Sequence, residues 1–404
     1  MHRSSCSSPP RASSRRLVRS LLVAATLLAL GALGAAAWPR LAAAATAPPP
    51  PTVSAKAFVV MDQQTGVVLA ARNPGERLAM ASTTKIMTGL LTLEHFHDLS
   101  KVVVARRDAI GVGEDEIYLQ KGEKLTVNQL LEALLIQSAN DAAADLADAV
   151  AGSQTKFVAL MNARARELGL TNTHYTNPHG LDQPGHYTSA ADLTHLARFA
   201  LRDPRFAGYV GHYTATIPWA HHHYDRVLVS HNELLENYSW VYGVKTGWTD
   251  DAGYCIAAAG LWRGHHILVT LLGEPDDAHR LTDAVALFHW SASQYALQTV
   301  VPAGRTLARA TVPYHDGKLA LVTSGAVTAS LRIGAKIATT VTAPSSVERP
   351  VSRGQVLGTV RVVADGHAVG VRHLVAAASF GKVSFVSKVG YQVHRAWHWL
   401  TSRL

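Results

Sequence analysis

The chain has 404 residues, 48% of them hydrophobic and 17% charged, which suits a globular protein with room for two cores and excludes a disordered or fibrous one. Its net charge of +9 overstates the folded part. The first 46 residues carry Arg3, Arg11, Arg15, Arg16, Arg19 and Arg40 and no acid, so the remainder carries 9 − 6 = +3, and nothing calls for a nucleic-acid partner.

Residues 1–46 place arginines before the apolar run Leu21 to Trp38 and small residues, Leu41 to Ala45, after it. That order predicts a secretory signal peptide, and an 18-residue run also suits an uncleaved N-terminal anchor. Cys6 precedes the run, which does not suit a lipoprotein site. Without this segment only Cys255 remains, so no internal disulfide forms, and a thiol buried on a strand is expected. Residues 47–54, with Pro48 to Pro51, read as a stiff linker.

The folded part is expected from Ala55. Ala57 to Asp62 and Val67 to Arg72 are β-prone runs about the turn Gln63-Gln64-Thr65-Gly66, a hairpin signal. Leu78 to Thr92 reads as a helix. Apolar residues at helical spacing recur over Val127 to Leu135, Ala142 to Val150, Lys156 to Leu168 and Ala191 to Ala200. Strand patterns return at Gly243 to Thr249, Gly253 to Gly260 and Ile267 to Leu272, followed by a helix over Thr282 to Gln298. The class is α+β, with helices between two strand-rich segments of one sheet. Residues 55–299 form this first domain, and the Val-, Thr- and Gly-rich runs of 300–386 predict a small all-β domain. In 387–404, Val389, Val393, Trp397, Leu400 and Leu404 share one helical face with Lys388, Arg395 and Arg403 off it. Two readings follow: an amphipathic helix lying on a membrane surface, or a terminal helix packed on its own domain.

Three short motifs carry the chemistry. Ser82 and Lys85 lie three apart on one helical face, a nucleophile with a base whose pKa would fall through burial and a second cation, Lys245. Ser82 at a helix start lies near backbone N–H groups that favour a developing oxyanion. Ser138 and Asn140 follow an apolar helix, where Ser138 could relay a proton between Lys85 and the leaving group and Asn140 could hold a substrate amide. Lys245-Thr246-Gly247 stands in a strand; the cation and hydroxyl suit a substrate carboxylate, the glycine a closely approaching ligand backbone, and the N–H of Trp248 an oxyanion hole. Catalytic candidates are therefore Ser82, Lys85 and Ser138, and substrate-binding candidates Asn140, Lys245, Thr246, Gly247 and Trp248. His179, Asp182 and His186, with His221 to His223, invite a zinc reading, but no motif supplies a metal-bound water with a base, so neither metal nor cofactor is expected.

Together, Ala81-Ser82-Thr83-Thr84-Lys85-Ile86-Met87-Thr88, Ser138-Ala139-Asn140-Asp141-Ala142, Asn177-Pro178-His179-Gly180-Leu181-Asp182, His186 to Ala190 and Gly243-Val244-Lys245-Thr246-Gly247 resemble the low-molecular-mass D-alanyl-D-alanine carboxypeptidases among the penicillin-binding serine transferases. The resemblance covers about residues 55–300 strongly and the β-rich tail weakly. Two departures stand out: Met80 replaces a proline usual two positions before the nucleophile, and Ser230-His231-Asn232 replace an Asn-x-Asn pattern before Leu234-Leu235. The resemblance implies a β-lactamase/transpeptidase-like fold and an exported enzyme at the outer face of the bacterial cytoplasmic membrane. Such an enzyme removes the terminal D-alanine of peptidoglycan pentapeptide stems through an acyl-serine and is inhibited covalently by β-lactams. The alternatives are a D,D-endopeptidase cutting cross-links and a non-catalytic protein binding β-lactams or cell wall.

Overall fold

The computed structural model describes residues 48–106, 109–220 and 222–403. The segment read as signal or anchor lies outside the described residues with Cys6, as do His221 and Leu404. Strands β1 (Ala57–Asp62) and β2 (Val68–Arg72) form the expected hairpin. The Asp62 carboxylate closes its turn by accepting from Thr65 N (2.5 Å) and Oγ1 (2.6 Å), while Gly66 takes a φ of +78°.

The chain then runs through α1 (Lys85–His95), β3 (Val102–Val104), β4 (Lys124–Thr126), α2 (Val127–Glu132), α3 (Asn140–Ala151), α4 (Gln154–Glu167), α5 (Ala190–Ala200) and α6 (Pro204–Val210). Local chemistry starts several of these helices. Thr126 and Gln129 make a reciprocal capping box, and Ser153, Ser189 and Asp203 accept from the first helical turns behind them. A small hairpin of β5 (Thr214–Ile217) and β6 (Arg226–Val229) and a short helix α7 (Leu234–Asn237) lead to β7 (Val241–Thr249), β8 (Gly253–Trp262) and β9 (His265–Glu274). The five-stranded antiparallel sheet has the order β2-β1-β9-β8-β7, so the last strands return to the first hairpin and the helices are inserted between, as the sequence pattern predicts.

Side-chain alternation on β1 shows why its apolar run is unbroken. Ala57, Val59 and Met61 face a core built with the inserted helices, whereas Phe58 and Val60 face a second core under α8 (Asp277–Gln294). On that second side Leu287 and Phe288 are fully buried, contributing about 1.5–3 kcal/mol each. Cys255 lies inside on β8, its thiol pushed up to about 11 by burial.

Two helix boundaries differ from expectation. Leu78 belongs to a bridge with Thr188, and the segment after it turns as a 3-10 coil over Ala81–Thr84 before α1 begins. The helix read over Thr282 to Gln298 occupies Asp277–Gln294; it is capped by Asp276, and Tyr295 starts a strand instead. That strand, β10 (Tyr295–Val301), pairs with β13 (Val327–Arg332). The remaining tail strands β11 (Thr306–Thr311), β12 (Lys318–Thr323), β14 (Ile337–Thr342), β15 (Val356–Ala364) and β16 (His367–Ala376) form one sheet in the order β11-β12-β16-β15-β14. Buried His265 joins the two sheeted regions, its Nε2 lying 2.5 Å from Asp62 Oδ2 and 3.0 Å from Ser330 Oγ.

The final helix, α9 (Phe385–Thr401), is capped by Ser384 and has no buried residue; Val389, Val393, Trp397 and Leu400 are all exposed. It meets the β-rich tail at Tyr314, through Tyr391 and Lys388. Among the described residues no helix is long and apolar enough to cross a membrane.

Candidate active site

Ser82 sits half-buried on the 3-10 turn rather than on an α-helix. Ala81 adopts a φ of +49°, and Thr83 Oγ1 locks the turn by donating to Met80 O at 2.6 Å. Met80, at the departure from the family pattern, is fully buried in the core. The turn is wedged between two glycines. A Cβ on Gly247 would lie 2.6 Å from Ser82 N, and one on Gly180 would lie 2.0 Å from Ala81 O. The close backbone that Gly247 admits in the fold is the chain's own Ser82 turn, where the sequence suggested that of a ligand.

Lys85 is completely buried, and its Nζ touches three oxygens: Ser82 Oγ at 2.7 Å, Asn140 Oδ1 at 2.6 Å and the His179 carbonyl at 2.8 Å. The amide orientation of Asn140 follows from its other end, since Nδ2 donates to Gly113 O at 2.7 Å. Two of the three oxygens can only accept. A neutral amine therefore gives its two N–H groups to Asn140 and His179, and its lone pair faces the one partner able to donate, the Ser82 hydroxyl. Burial and then the nearby Lys245 charge hold the Lys85 pKa well below the ordinary lysine value, against the opposing pull of Asp115, Glu114 and Asp141. This is the geometry of a general base on its nucleophile.

Asn140 therefore spends both ends of its amide inside the protein, holding Lys85 and the Gly113 carbonyl, where the sequence suggested a grip on substrate. Ser138 lies in the left-handed region (φ +70°) at the end of a π-type turn. Its hydroxyl is buried and lacks a hydrogen-bond partner among the described residues, yet the residue lines the same cleft as Ser82. It makes no direct hydrogen bond to Lys85, whose three contacts are the oxygens above.

Lys245, Thr246, Gly247 and Trp248 lie on β7, the edge strand of the sheet, so an extended peptide can add alongside it. Lys245 is buried and donates to Thr246 O at 3.0 Å; burial lowers its pKa to about 7, with Asp115 opposing and Arg280 adding to the shift. Thr246, Gly247 and Trp248 line a cleft of about 420 Å³ with Ser82 and Ser138.

Sequence reasoning missed several cleft residues. Arg280 of α8 is buried, packs on the Tyr254 ring (5.6 Å), donates to the His231 carbonyl at 3.3 Å and pairs with Asp277. Its Nε has no partner among the described residues. No local pattern marks an arginine 35 positions after Lys245. Glu114 and Asp115 enter from the loop before the second motif, and Ser230 and His231, at the second departure from the family pattern, line the same cleft. Asp141 staples that loop by accepting from the N–H groups of Ile117 and Leu119.

His179 and His186 have hydrogen-bond partners inside the protein. His186 Nδ1 accepts from Thr176 N–H at 3.0 Å, so its Nε2 donates to Thr84 Oγ1 at 2.8 Å, and burial, followed by His174, lowers its pKa to about 4. Burial, Lys85 and His186 lower the His179 pKa to about 3. Asp182 accepts from Thr249 and from Asp251 N–H.

Residues 43–275 match the family model described as D-alanyl-D-alanine carboxypeptidase, and residues 295–382 match the C-terminal domain of penicillin-binding protein 5. The chain is 31% identical to the D-alanyl-D-alanine carboxypeptidase DacF of Bacillus subtilis (strain 168), covering 82% of this chain and 87% of that protein. It is 30% identical to DacC of Escherichia coli (strain K12), at 84% and 87%. Among solved structures, penicillin-binding protein 5 from Haemophilus influenzae superposes with a TM-score of 0.69 at 26% identity, covering 82% of this chain and 99% of that one.

Proposed function

Because the chain belongs to the D-alanyl-D-alanine carboxypeptidase family, we propose that Ser82 is the residue acylated by substrate and Lys85 the base that prepares it. The protein is a serine-type D-alanyl-D-alanine carboxypeptidase of the low-molecular-mass penicillin-binding group. Lys85 takes the hydroxyl proton as Ser82 Oγ attacks the carbonyl between the two D-alanines. The N–H groups of Ser82 and Trp248 receive the oxyanion. Ser138, whose hydroxyl has no partner among the described residues and which lines the cleft, passes the proton to the departing amine. Thr246, Lys245 and the unforeseen Arg280 hold the terminal carboxylate, and Gly247 lets β7 lie against the nucleophile turn. Water then releases the shortened stem and restores Ser82. A β-lactam follows the same first step and leaves its acyl group on the serine.

The single observation that carries this reading is the contact set of Lys85, whose lone pair has only the Ser82 hydroxyl to face. Mass analysis of the products from intact peptidoglycan tests it. We expect free D-alanine from uncross-linked pentapeptide stems, lost in Ser82→Ala; dimeric muropeptides split with no free D-alanine would instead indicate endopeptidase activity.

The domain organisation completes the proposal: an export signal or anchor over 1–46, a linker over 47–54, the catalytic domain over 55–299, a β-rich domain over 300–386 and a membrane-surface helix over 387–404. The exposed apolar face of α9 supports the last assignment. Deleting Ser387 to Leu404 is expected to free the protein from anionic vesicles in a sedimentation assay while D-alanine release persists; continued co-sedimentation would sink the idea.

A further inference from the structure

Charge is divided unevenly along this chain. Residues 300–404 carry 13 lysines and arginines against three acidic residues, a net +10, so residues 47–299 carry 3 − 10 = −7. We propose that the outer face of the five-stranded sheet in the β-rich tail binds the wall polymer on which the catalytic domain acts, through the carboxylates of its stem peptides. The proposal rests on the carboxypeptidase reading and adds to it a second, non-catalytic contact with the same polymer.

Strand register decides which residues share that face. Arg361 of β15 stands opposite Thr340 of β14 and Val371 of β16, and two residues along, Thr359 stands opposite Thr342 and His373. On the other half of the sheet Arg309 of β11 lies opposite Ala320 of β12, with Lys318 two residues away on the same side. The halves join where Val322 pairs with Val375, two residues from Ala320 and from His373. Alternate residues, among them Leu319, Leu321, Val360 and Leu374, are buried in the domain core on the opposite side. Arg309, Lys318, Arg361 and His373 are therefore exposed together on a surface about 20 Å wide across five strands.

Composition favours an anionic, polar partner. None of the five strands contains an aspartate or a glutamate. Arg332 of β13 pairs with Asp365 at the turn between β15 and β16, which leaves the three cations of the face without a carboxylate partner among the described residues. The wall polymer carries a carboxylate at the end of every stem, so the −7 of the catalytic part repels it and the +10 of the tail offsets that repulsion. Thr340 and Thr342, both exposed, add hydroxyls able to donate to the same carboxylates. A lipid surface suits this face poorly. Its five strands hold no phenylalanine, tyrosine or tryptophan, whereas α9 exposes Phe385, Trp397 and Trp399. The helix is thus equipped for a bilayer and the sheet for a polyanion.

The test is co-sedimentation of the full protein with purified peptidoglycan sacculi stripped of phosphodiester polymers, compared with the same sacculi after their carboxylates are amidated. Binding to the untreated sacculi is expected to be about tenfold tighter at low ionic strength, the size of three exposed ion pairs, and added salt should narrow the difference. This arm needs no variant. Arg309→Gln, Lys318→Gln and Arg361→Gln combined should lose the same factor, while D-alanine release from a soluble acylated D-Ala-D-Ala peptide and binding to anionic vesicles stay at the wild-type level. Equal wild-type binding to both kinds of sacculi, or undiminished sacculus binding by the triple variant, would overturn the proposal and leave the carboxypeptidase reading intact. Binding that appears only when phosphodiester polymers are left on the sacculi, or a triple variant that loses vesicles alone, would overturn it as well. Failure of the wild-type protein to release D-alanine from the soluble peptide would instead remove the carboxypeptidase reading, and with it the polymer named here.

Discussion

Replacing Lys85 by alanine is expected to slow acylation by a penicillin about 10³-fold or more, because the Ser82 proton then has no acceptor within hydrogen-bond reach on the side where Nζ lies. The loss is compounded inside the site, where Asn140 Oδ1 and the His179 carbonyl lose a shared donor. Lys85→Arg should restore charge but not rate, since a guanidinium does not give up its proton to become a base. Stopped-flow measurement of acyl-enzyme formation checks both; an arginine variant with near-native rate would contradict a deprotonated Lys85.

The same chemistry sets the pH profile. Lys85 must be neutral to act, and burial with the Lys245 charge lowers its pKa, so the acid limb of kcat/KM lies far below the ordinary lysine value. Lys245 must be charged to hold a carboxylate, and its pKa near 7 places the alkaline limb there in the free enzyme. The rate should rise with pH as Lys85 loses its proton and fall as Lys245 loses its own.

Gly247→Ala is expected to cut acylation about 100-fold with the fold retained. The added methyl would lie 2.6 Å from Ser82 N and 2.9 Å from Ala81 Cβ, so either β7 or the nucleophile turn must move. A shift of that kind costs about 1–3 kcal/mol in stability. In rate it costs more, since about 1 Å of misplacement at a reacting atom can remove two orders of magnitude. Penicillin labelling rates and thermal unfolding of the same preparation separate the two effects. Native labelling would mean that the turn tolerates the methyl and that Gly247 does not position Ser82.

Much of this was legible because the motifs are local while their order is global. Ser82, Lys85, Lys245 and Thr246 were readable as residue types whose pairing has one chemical use, and the structure brings them together. What the motif could not convey was which neighbour each serves: Asn140 holds the lysine, and Gly247 admits the chain's own turn. Glu114, Asp115 and Arg280 were not legible, because a loop without periodicity and a distant helix reach the cleft only through tertiary packing. The helix boundaries failed for a related reason. Leu78 and Tyr295 have neighbours suited to helix, but strand partners at Thr188 and Arg332 decide their conformation.

The central claim is that one serine carries the acyl group and one neutral lysine prepares it. Its most direct test is mass mapping of the protein after brief exposure to a penicillin. The account predicts one equivalent of adduct on the peptide containing Ser82, absent in Ser82→Ala and formed far more slowly in Lys85→Ala. An adduct on any other residue, or undiminished labelling of the Ser82→Ala protein, would contradict it.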